Sequence, residues 1–310
     1  MARIGSTKLE VFPLALGGNV FGWTADEKNS FAVLDAYAAA GGNFIDTADV
    51  YSAWVPGNSG GESETIIGRW LSARGNREKM IVGTKVGMHP KLSGLSAATI
   101  RTAAEESLRR LQTDYIDVYY AHQDDENTPL EETLSAFDRL VRDGKVRYVA
   151  ASNYSAARLQ EALSTADRAG FVRYIALQQH YNLVERDKYE GELANVVARE
   201  GLSCIPYFAL ASGFLTGKYR PGAKVNSQRA ERAGAYLNEK GIKILAVLDE
   251  VAAAHGVSVA SVALAWLAAQ PTVVAPIASA RTPEQLPDLL RVADLKLSKS
   301  EIDRLSEVSA

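Results

Sequence analysis

The stretch NFIDTADVY, residues 43–51, ends a short apolar run in Asp46 and reaches Tyr51 five residues later. Two further runs end alike: IVGTK (81–85) closes on Lys85, and IDVYYAH (116–122) carries His122 directly after it. Residues this far apart converge only if the strands that carry them end on one face of a sheet or barrel. A carboxyl, a phenol, an ammonium and an imidazole collected there form a proton-transfer device.

Outward from these runs, from residue 14 on, short β-rich segments alternate with longer amphipathic ones such as IRTAAEESLRRL and LEETLSAFDRLV. Strands are predicted near Leu14–Leu16, Phe44–Asp46, Ile81–Lys85, Tyr115–Ala121, Val146–Ala150, Tyr174–Gln178, Leu202–Pro206 and Val273–Pro276. Units of roughly 30 to 40 residues predict an α/β fold of the (β/α)8 TIM-barrel type. With no composition break or linker, residues 1–310 are expected to form a single domain. The main rival is an open doubly wound sheet, which normally carries a glycine-rich dinucleotide loop after its first strand. Gly17-Gly18-Asn19-Val20-Phe21-Gly22 has its glycines at other offsets, and Gly217-Lys218-Tyr219 lacks the Ser or Thr of a P-loop. An N-terminal hairpin (Arg3–Ile4, then Leu9–Val11) is expected to plug the barrel floor. The C-terminal LSKSEIDRLSEV, opening on the N-cap residue Ser298, is expected to add a helix against its side.

With 47% hydrophobic and 23% charged residues and a net charge of -3, the composition is that of a globular chain. Its cations form no stripe suited to nucleic acid or an anionic membrane, so a small-molecule partner is expected. The longest apolar stretch, Val257 to Ala269, is well short of the roughly 20 residues that span a bilayer. Cys204 is the one cysteine and MARIGSTKLEVF lacks a secretory pattern, so a reducing cytoplasm is the expected location. No metal site is expected, and the sequon Asn153-Tyr-Ser155 is read as chance.

Singly, Asp46 reads as a turn residue, Tyr51 as a half-buried aromatic, Lys85 as a solvated cation and His122 as a loop histidine. Their conjunction at the strand ends of three consecutive βα units points to a site instead. A phenol that titrates near 10 donates a proton near neutrality only with a positive charge beside it, and Lys85 supplies one. Asp46 is placed to keep Lys85 charged against desolvation. His122 is expected to orient a carbonyl oxygen and to titrate within the physiological range.

The segments GGNFIDTADVY (41–51), VGTK (82–85), DYIDVYYAHQDDENTPLEETL (114–134), GKVRYVAASNYS (144–155), QQHYNLVERD (178–187), YFALASGFLTGKY (207–219) and PIASARTPEQL (276–286) resemble, in order, those of the aldo-keto reductase superfamily. The long loop after Tyr51 and the ALASGFLTGKY pattern resemble the bacterial aryl-alcohol-dehydrogenase-like branch. The resemblance implies that Asp46, Tyr51, Lys85 and His122 are the catalytic tetrad, with Tyr51 as general acid in carbonyl reduction and general base in alcohol oxidation. It implies NADP(H) bound across the barrel mouth without a Rossmann fingerprint. Ser152, Asn153 and Gln178 would then bind the nicotinamide carboxamide, and Tyr207 would stack on the nicotinamide ring. Leu210, Ser212, Gly213 and Lys218 would cover the pyrophosphate, and Ser279, Arg281 and Gln285 would grip the adenosine end. Arg281 favours NADPH over NADH by its fit to a 2′-phosphate. Ala209-Leu210 and Ala278-Ser279 depart from the family's usual Pro-Leu and Gly.

Phe21, Trp23 and Trp54 are expected to rim the mouth and favour aromatic or apolar carbonyl compounds. The Ser52–Gly61 loop, with three glycines and one proline, is expected to move and close over substrate. Two other functions stay open: a non-catalytic NADP(H)-binding redox sensor, since potassium-channel β subunits resemble this fold, and a Schiff-base aldolase using Lys85.

Overall fold

In a computed structural model that describes residues 1–310, eight parallel strands form one sheet: β1 (Ala15–Gly17), β2 (Phe44–Asp46), β3 (Ile81–Val86), β4 (Ile116–Ala121), β5 (Val146–Ser152), β6 (Tyr174–Gln178), β7 (Ser203–Cys204) and β8 (Ile277–Ala278). Each strand from β1 to β6 pairs with the next, and β8 pairs with β1. The ends also meet: Cys204 N–H donates to Thr272 O (2.8 Å), Val274 N–H to Cys204 O (3.1 Å) and Ile277 N–H to Pro206 O (2.8 Å). Strand order that never reverses, with its two edges joined, excludes the doubly wound alternative.

The eighth strand differs from its predicted position. Residues 273–276 make the seam with β7, and the regular pairing with β1 lies at Ile277–Ala278. The apolar run VVAPIA is uniform enough to hide that offset, and Pro276 has no N–H for a ladder.

Side-chain parity explains the rest of the arrangement. Phe44, Ile81, Val118, Ala150 and Ala176 point into the barrel, where they form one apolar cluster with Ile4, Leu9 and Val11 of the N-terminal hairpin (Ala2–Arg3 against Glu10–Val11). The hairpin therefore plugs the floor as expected. The alternate residues Ile45, Val82, Tyr119, Val149 and Leu177 face outward into a second, larger core beneath the helices. Gly83 points inward, and a Cβ there would stand 3.0 Å from the Tyr120 ring, so the glycine leaves room for that ring. Counting by twos from the inward apolar residues lands Asp46, Lys85, Ser152 and Gln178 inside the barrel at its carboxyl end.

Helices follow the strands where the caps allow. Ser96 and Ser155 accept the backbone N–H of Thr99 and Arg158 at the starts of Ala97–Leu111 and Ala156–Ala169. The C-terminal helix Lys299–Val308 begins with a reciprocal Ser298/Glu301 capping box and lies against Glu239–His255, tied by His255–Glu301 and Arg304–Glu250. No single helix is long and apolar enough to cross a membrane.

Ile4 is fully buried in the barrel-floor cluster. Ile4→Ala is expected to cost about 2–5 kcal/mol of stability, read from the midpoint of urea unfolding. An unchanged midpoint would show that the hairpin does not belong to the core.

Candidate active site

The Lys85 ammonium lies at the centre, fully buried, and its three hydrogens find three directions of acceptor. Nζ stands 2.9 and 2.8 Å from the two Asp46 carboxylate oxygens, 2.7 Å from Thr47 O and 3.1 Å from Tyr51 Oη. The Tyr51 hydroxyl also lies 3.3 Å from Asp46 Oδ2. Gln178 Nε2 donates to Asp46 Oδ1 at 2.9 Å, so the carboxylate is held from β6 as well as from β3. Burial lowers the lysine's pKa, and the Asp46 charge works against that fall. A second buried carboxyl, Asp49, has no hydrogen-bond partner on either oxygen; burial and then the Glu64 charge push it up to about 8. Asp49 is therefore largely neutral near pH 7, which leaves Asp46 as the counter-ion in contact with Lys85.

Tyr51 differs from expectation in its acidity. Burial first, and the Asp46 charge second, raise its pKa well above the ordinary phenol value. The phenol is thus fully protonated, and the ammonium 3.1 Å away is positioned to stabilise charge only as the proton leaves.

His122 follows β4, its N–H donating to Val86 O at 2.9 Å. Its ring meets the Tyr51 ring edge-on with centroids 6.2 Å apart, and its Nδ1 is buried without a partner. Burial, reinforced by the Lys85 charge, drives its pKa well below the ordinary imidazole value. The expectation that it titrates in the physiological range is corrected: it is a neutral imidazole there.

The residues expected at the nicotinamide are brought together. Asn153, at a positive φ of 57°, donates from Nδ2 to His122 O (2.9 Å) and Ser152 Oγ (3.1 Å), and its Oδ1 accepts from Tyr207 Oη (2.8 Å). Ser155, the other half of the sequon, is committed as a helix cap. Across the mouth, Phe208, Ala211, Ser212, Gly213 and Gly217 all have positive φ, which folds the backbone of this loop into a tight series of turns. Leu210 is half-buried against the core beneath it. Beyond the loop, Ser279 Oγ donates to Asn19 Oδ1 (2.7 Å), and Gln285 Oε1 accepts the Arg281 N–H (2.8 Å).

Lys218, Arg229 and Arg281 have no carboxylate partner, unlike most arginines of the chain. Burial and the Arg281 and Arg229 charges lower the Lys218 pKa; burial and the Arg281 and Arg232 charges do the same to Arg229. Arg229 also leaves Nη2 buried without a hydrogen-bond acceptor. Cations held together against their own repulsion, with a buried N–H unsatisfied, fit a ligand carrying phosphate groups. Arg229 was missed in the sequence. The signal was there in residues 218–232, which carry five basic side chains and one acidic, Glu231.

At the rim, Trp23 and Trp54 stack edge-to-face (5.6 Å), Trp54 meets Tyr51 (6.1 Å), and Arg229 lies over the Trp23 ring (5.3 Å). Phe21 does not reach this rim. It is fully buried in the outer core, and only its carbonyl serves the loop, by accepting from Ser52 Oγ (2.8 Å). The Ser52–Gly61 loop is pinned there and again by Asn58 Nδ2 to Gly22 O (3.1 Å).

Fold and site together define a closed parallel barrel whose mouth sets an ion-paired lysine and a buried phenol opposite a cluster of cations without carboxylate partners. The model of the Aldo/keto reductase family matches residues 13–310, and the chain belongs to that family. The family's general activity is NADP(H)-dependent oxidoreduction. The chain is 36% identical to "Uncharacterized oxidoreductase YrpG" of Bacillus subtilis (98% of this chain, 94% of the relative). It is 34% identical to "Probable voltage-gated potassium channel subunit beta" of Oryza sativa (99% and 95%). It is 32% identical to "Aryl-alcohol dehydrogenase [NADP(+)]" of Phanerodontia chrysosporium (96% and 83%).

With its pKa depressed, His122 is expected to stay neutral as pH falls from about 8 to about 6, below the ordinary imidazole midpoint of roughly 6.5. Imidazole NMR, assigned with His122→Asn, checks this; a titration step inside that window would refute it.

Proposed function

We propose that residues 1–310 act as one NADPH-dependent reductase of aldehydes or ketones, reversible toward alcohols, with Tyr51 as the general acid and base. The observation that carries this reading is the Lys85 ammonium, bonded to Asp46 and 3.1 Å from the Tyr51 hydroxyl. NADPH held across the mouth would supply the hydride. Tyr51, protonated and buried, donates its proton to the carbonyl oxygen. Lys85 stabilises the phenolate that forms, and Asp46 keeps Lys85 cationic. Neutral His122 orients the carbonyl oxygen beside the phenol. Asn153 and Ser152 would hold the nicotinamide carboxamide, with Gln178 steadying Asp46, and Tyr207 would stack on the ring. Lys218 and Arg229, with the Ser212–Gly213 turn, would neutralise the diphosphate, and Arg281 the 2′-phosphate.

The Trp23–Trp54 wall beside Tyr51 favours aromatic or apolar carbonyl compounds, in keeping with the aryl-alcohol-dehydrogenase-like branch. The similarity to a channel β subunit supports a second reading, a cofactor-binding redox sensor. An aldolase reading is disfavoured: Lys85 is ion-paired with all its hydrogens engaged, whereas Schiff-base formation needs a free amine.

Tyr51→Phe is expected to lower kcat for NADPH oxidation by an aryl aldehyde by about 10²- to 10⁴-fold while leaving NADPH binding intact. Stoichiometric binding by the unaltered protein without turnover over a broad carbonyl panel would favour the sensor. Arg281→Ala and Arg229→Met are each expected to raise the Kd for NADPH roughly tenfold, as loss of a charge-assisted hydrogen bond predicts. For Arg281→Ala the Kd for NADH should barely move; equal weakening of both would place Arg281 away from the 2′-phosphate.

A further inference from the structure

Against one face of the Tyr207 ring lies a histidine that the proton-transfer chemistry does not use. The backbone past β6 runs alongside the backbone past β7: His180 and Tyr207 form a parallel bridge, and Tyr207 N–H donates to Gln179 O at 2.9 Å. The two rings stack, with centroids 5.3 Å apart and planes 20° from parallel. The Phe208 ring meets the imidazole edge-on, also at 5.3 Å. Asn182 locks the arrangement. Its Nδ2 lies 3.4 Å from His180 Nε2 and 2.9 Å from Phe208 O, the carbonyl of a residue held at φ 51°.

We propose that His180 is a positioning residue that backs Tyr207, and that its charge sets how well the Tyr207 ring holds oxidised as against reduced nicotinamide. This rests on the reading that Tyr207 stacks on the nicotinamide. Oxidised nicotinamide carries a ring positive charge and the reduced ring does not. An aromatic face attracts a cation through its quadrupole, and a cation on the opposite face both competes for that density and repels the first. A neutral His180 leaves Tyr207 free to hold the oxidised ring. An imidazolium weakens that hold and leaves the neutral reduced ring nearly untouched.

The groups facing His180 set when that happens. Asn182 and the charged residues Glu185, Asp187 and Lys188 come from the segment after β6, and the uncharged Tyr207 and Phe208 from the segment after β7. Tyr236 donates to Glu185 at 2.9 Å and keeps that carboxylate in place. Burial lowers the imidazole's pKa most, Glu185 opposes it, and the net direction is down. His180 is therefore neutral at and above neutrality, and the discrimination switches on only in acid.

The test measures the Kd of NADP+ and of NADPH by calorimetry from about pH 8 to about pH 5, a range that brackets an imidazole. Titration of the 2′-phosphate alters both forms alike and cancels in their ratio. In the unaltered protein the ratio of the NADP+ to the NADPH Kd is expected to rise roughly fivefold toward acid, the scale of a cation–π contact. His180→Phe keeps a flat plate without a proton and should abolish that rise. His180→Ala removes the plate and should weaken both forms at every pH. A rise that persists in His180→Phe, or wild-type binding by His180→Ala, overturns the proposal.

A nucleotide-free arm separates this inference from the reading beneath it. His180, assigned by imidazole NMR, is expected to titrate at lower pH in Tyr207→Leu, where the aromatic stabilisation of the imidazolium is gone. An unchanged midpoint shows that the stack has no electrostatic role and overturns the proposal. Absence of nucleotide binding in the unaltered protein overturns the cofactor reading itself. Binding with a flat ratio overturns only the role of His180.

Discussion

Burying the Lys85 ammonium is the constraint on which the rest of the site depends. Desolvating a lone cation costs several kcal/mol, and the cost is offset only if a counter-ion and further acceptors meet it at good geometry. Asp46 comes from β2, the Thr47 carbonyl from the turn after it, the Tyr51 hydroxyl from further along that loop, and the lysine itself from β3. Gln178, from the opposite side of the barrel, then fixes the carboxylate. The pair and the phenol come from neighbouring strands, and closure of the barrel adds the Gln178 bond that fixes the carboxylate from across the interior.

The barrel divides along its length. Its floor is apolar and filled by the hairpin residues Ile4, Leu9 and Val11, whereas its mouth is polar and cross-bonded. Below Lys85 lie Phe44, Tyr120 and the inward apolar residues of β5 and β6, which exclude the water that would otherwise screen the ion pair. The charges at the site follow from that dryness. Tyr51 is held protonated, His122 is held neutral, and Asp49 is pushed toward its neutral form. Across the mouth the logic reverses: Lys218, Arg229 and Arg281 are gathered with no internal anion to balance them. One half of the site is electrostatically complete and the other keeps unbalanced positive charge.

Much of this was legible in the chain. The strand runs were placed within a residue or two, and the period of two already put Asp46 on the face of Phe44 and Lys85 on the face of Ile81. The eighth strand was less legible, because VVAPIA pairs with two neighbours at different registers and its composition does not say which part meets which. Phe21 was placed at the rim because a phenylalanine after a strand end looks exposed; the turn that follows it folds the ring inward. Arg229 lies more than a hundred residues from the tetrad in sequence and obeys no spacing rule, so only the folded chain sets it beside Lys218 and Trp23.

The sequence by itself determined which groups are available and on which face of each strand they lie, because side-chain direction follows local backbone periodicity. Tertiary structure alone decided their protonation. Whether a histidine is a switch or a neutral donor, and whether a tyrosine is a weaker or a stronger acid, depends on solvent exclusion and on charges from distant strands. His122 and Tyr51 were identified from their neighbours in the chain, but their chemistry was set by Lys85, Asp46 and the dry interior that closure of the barrel brings around them.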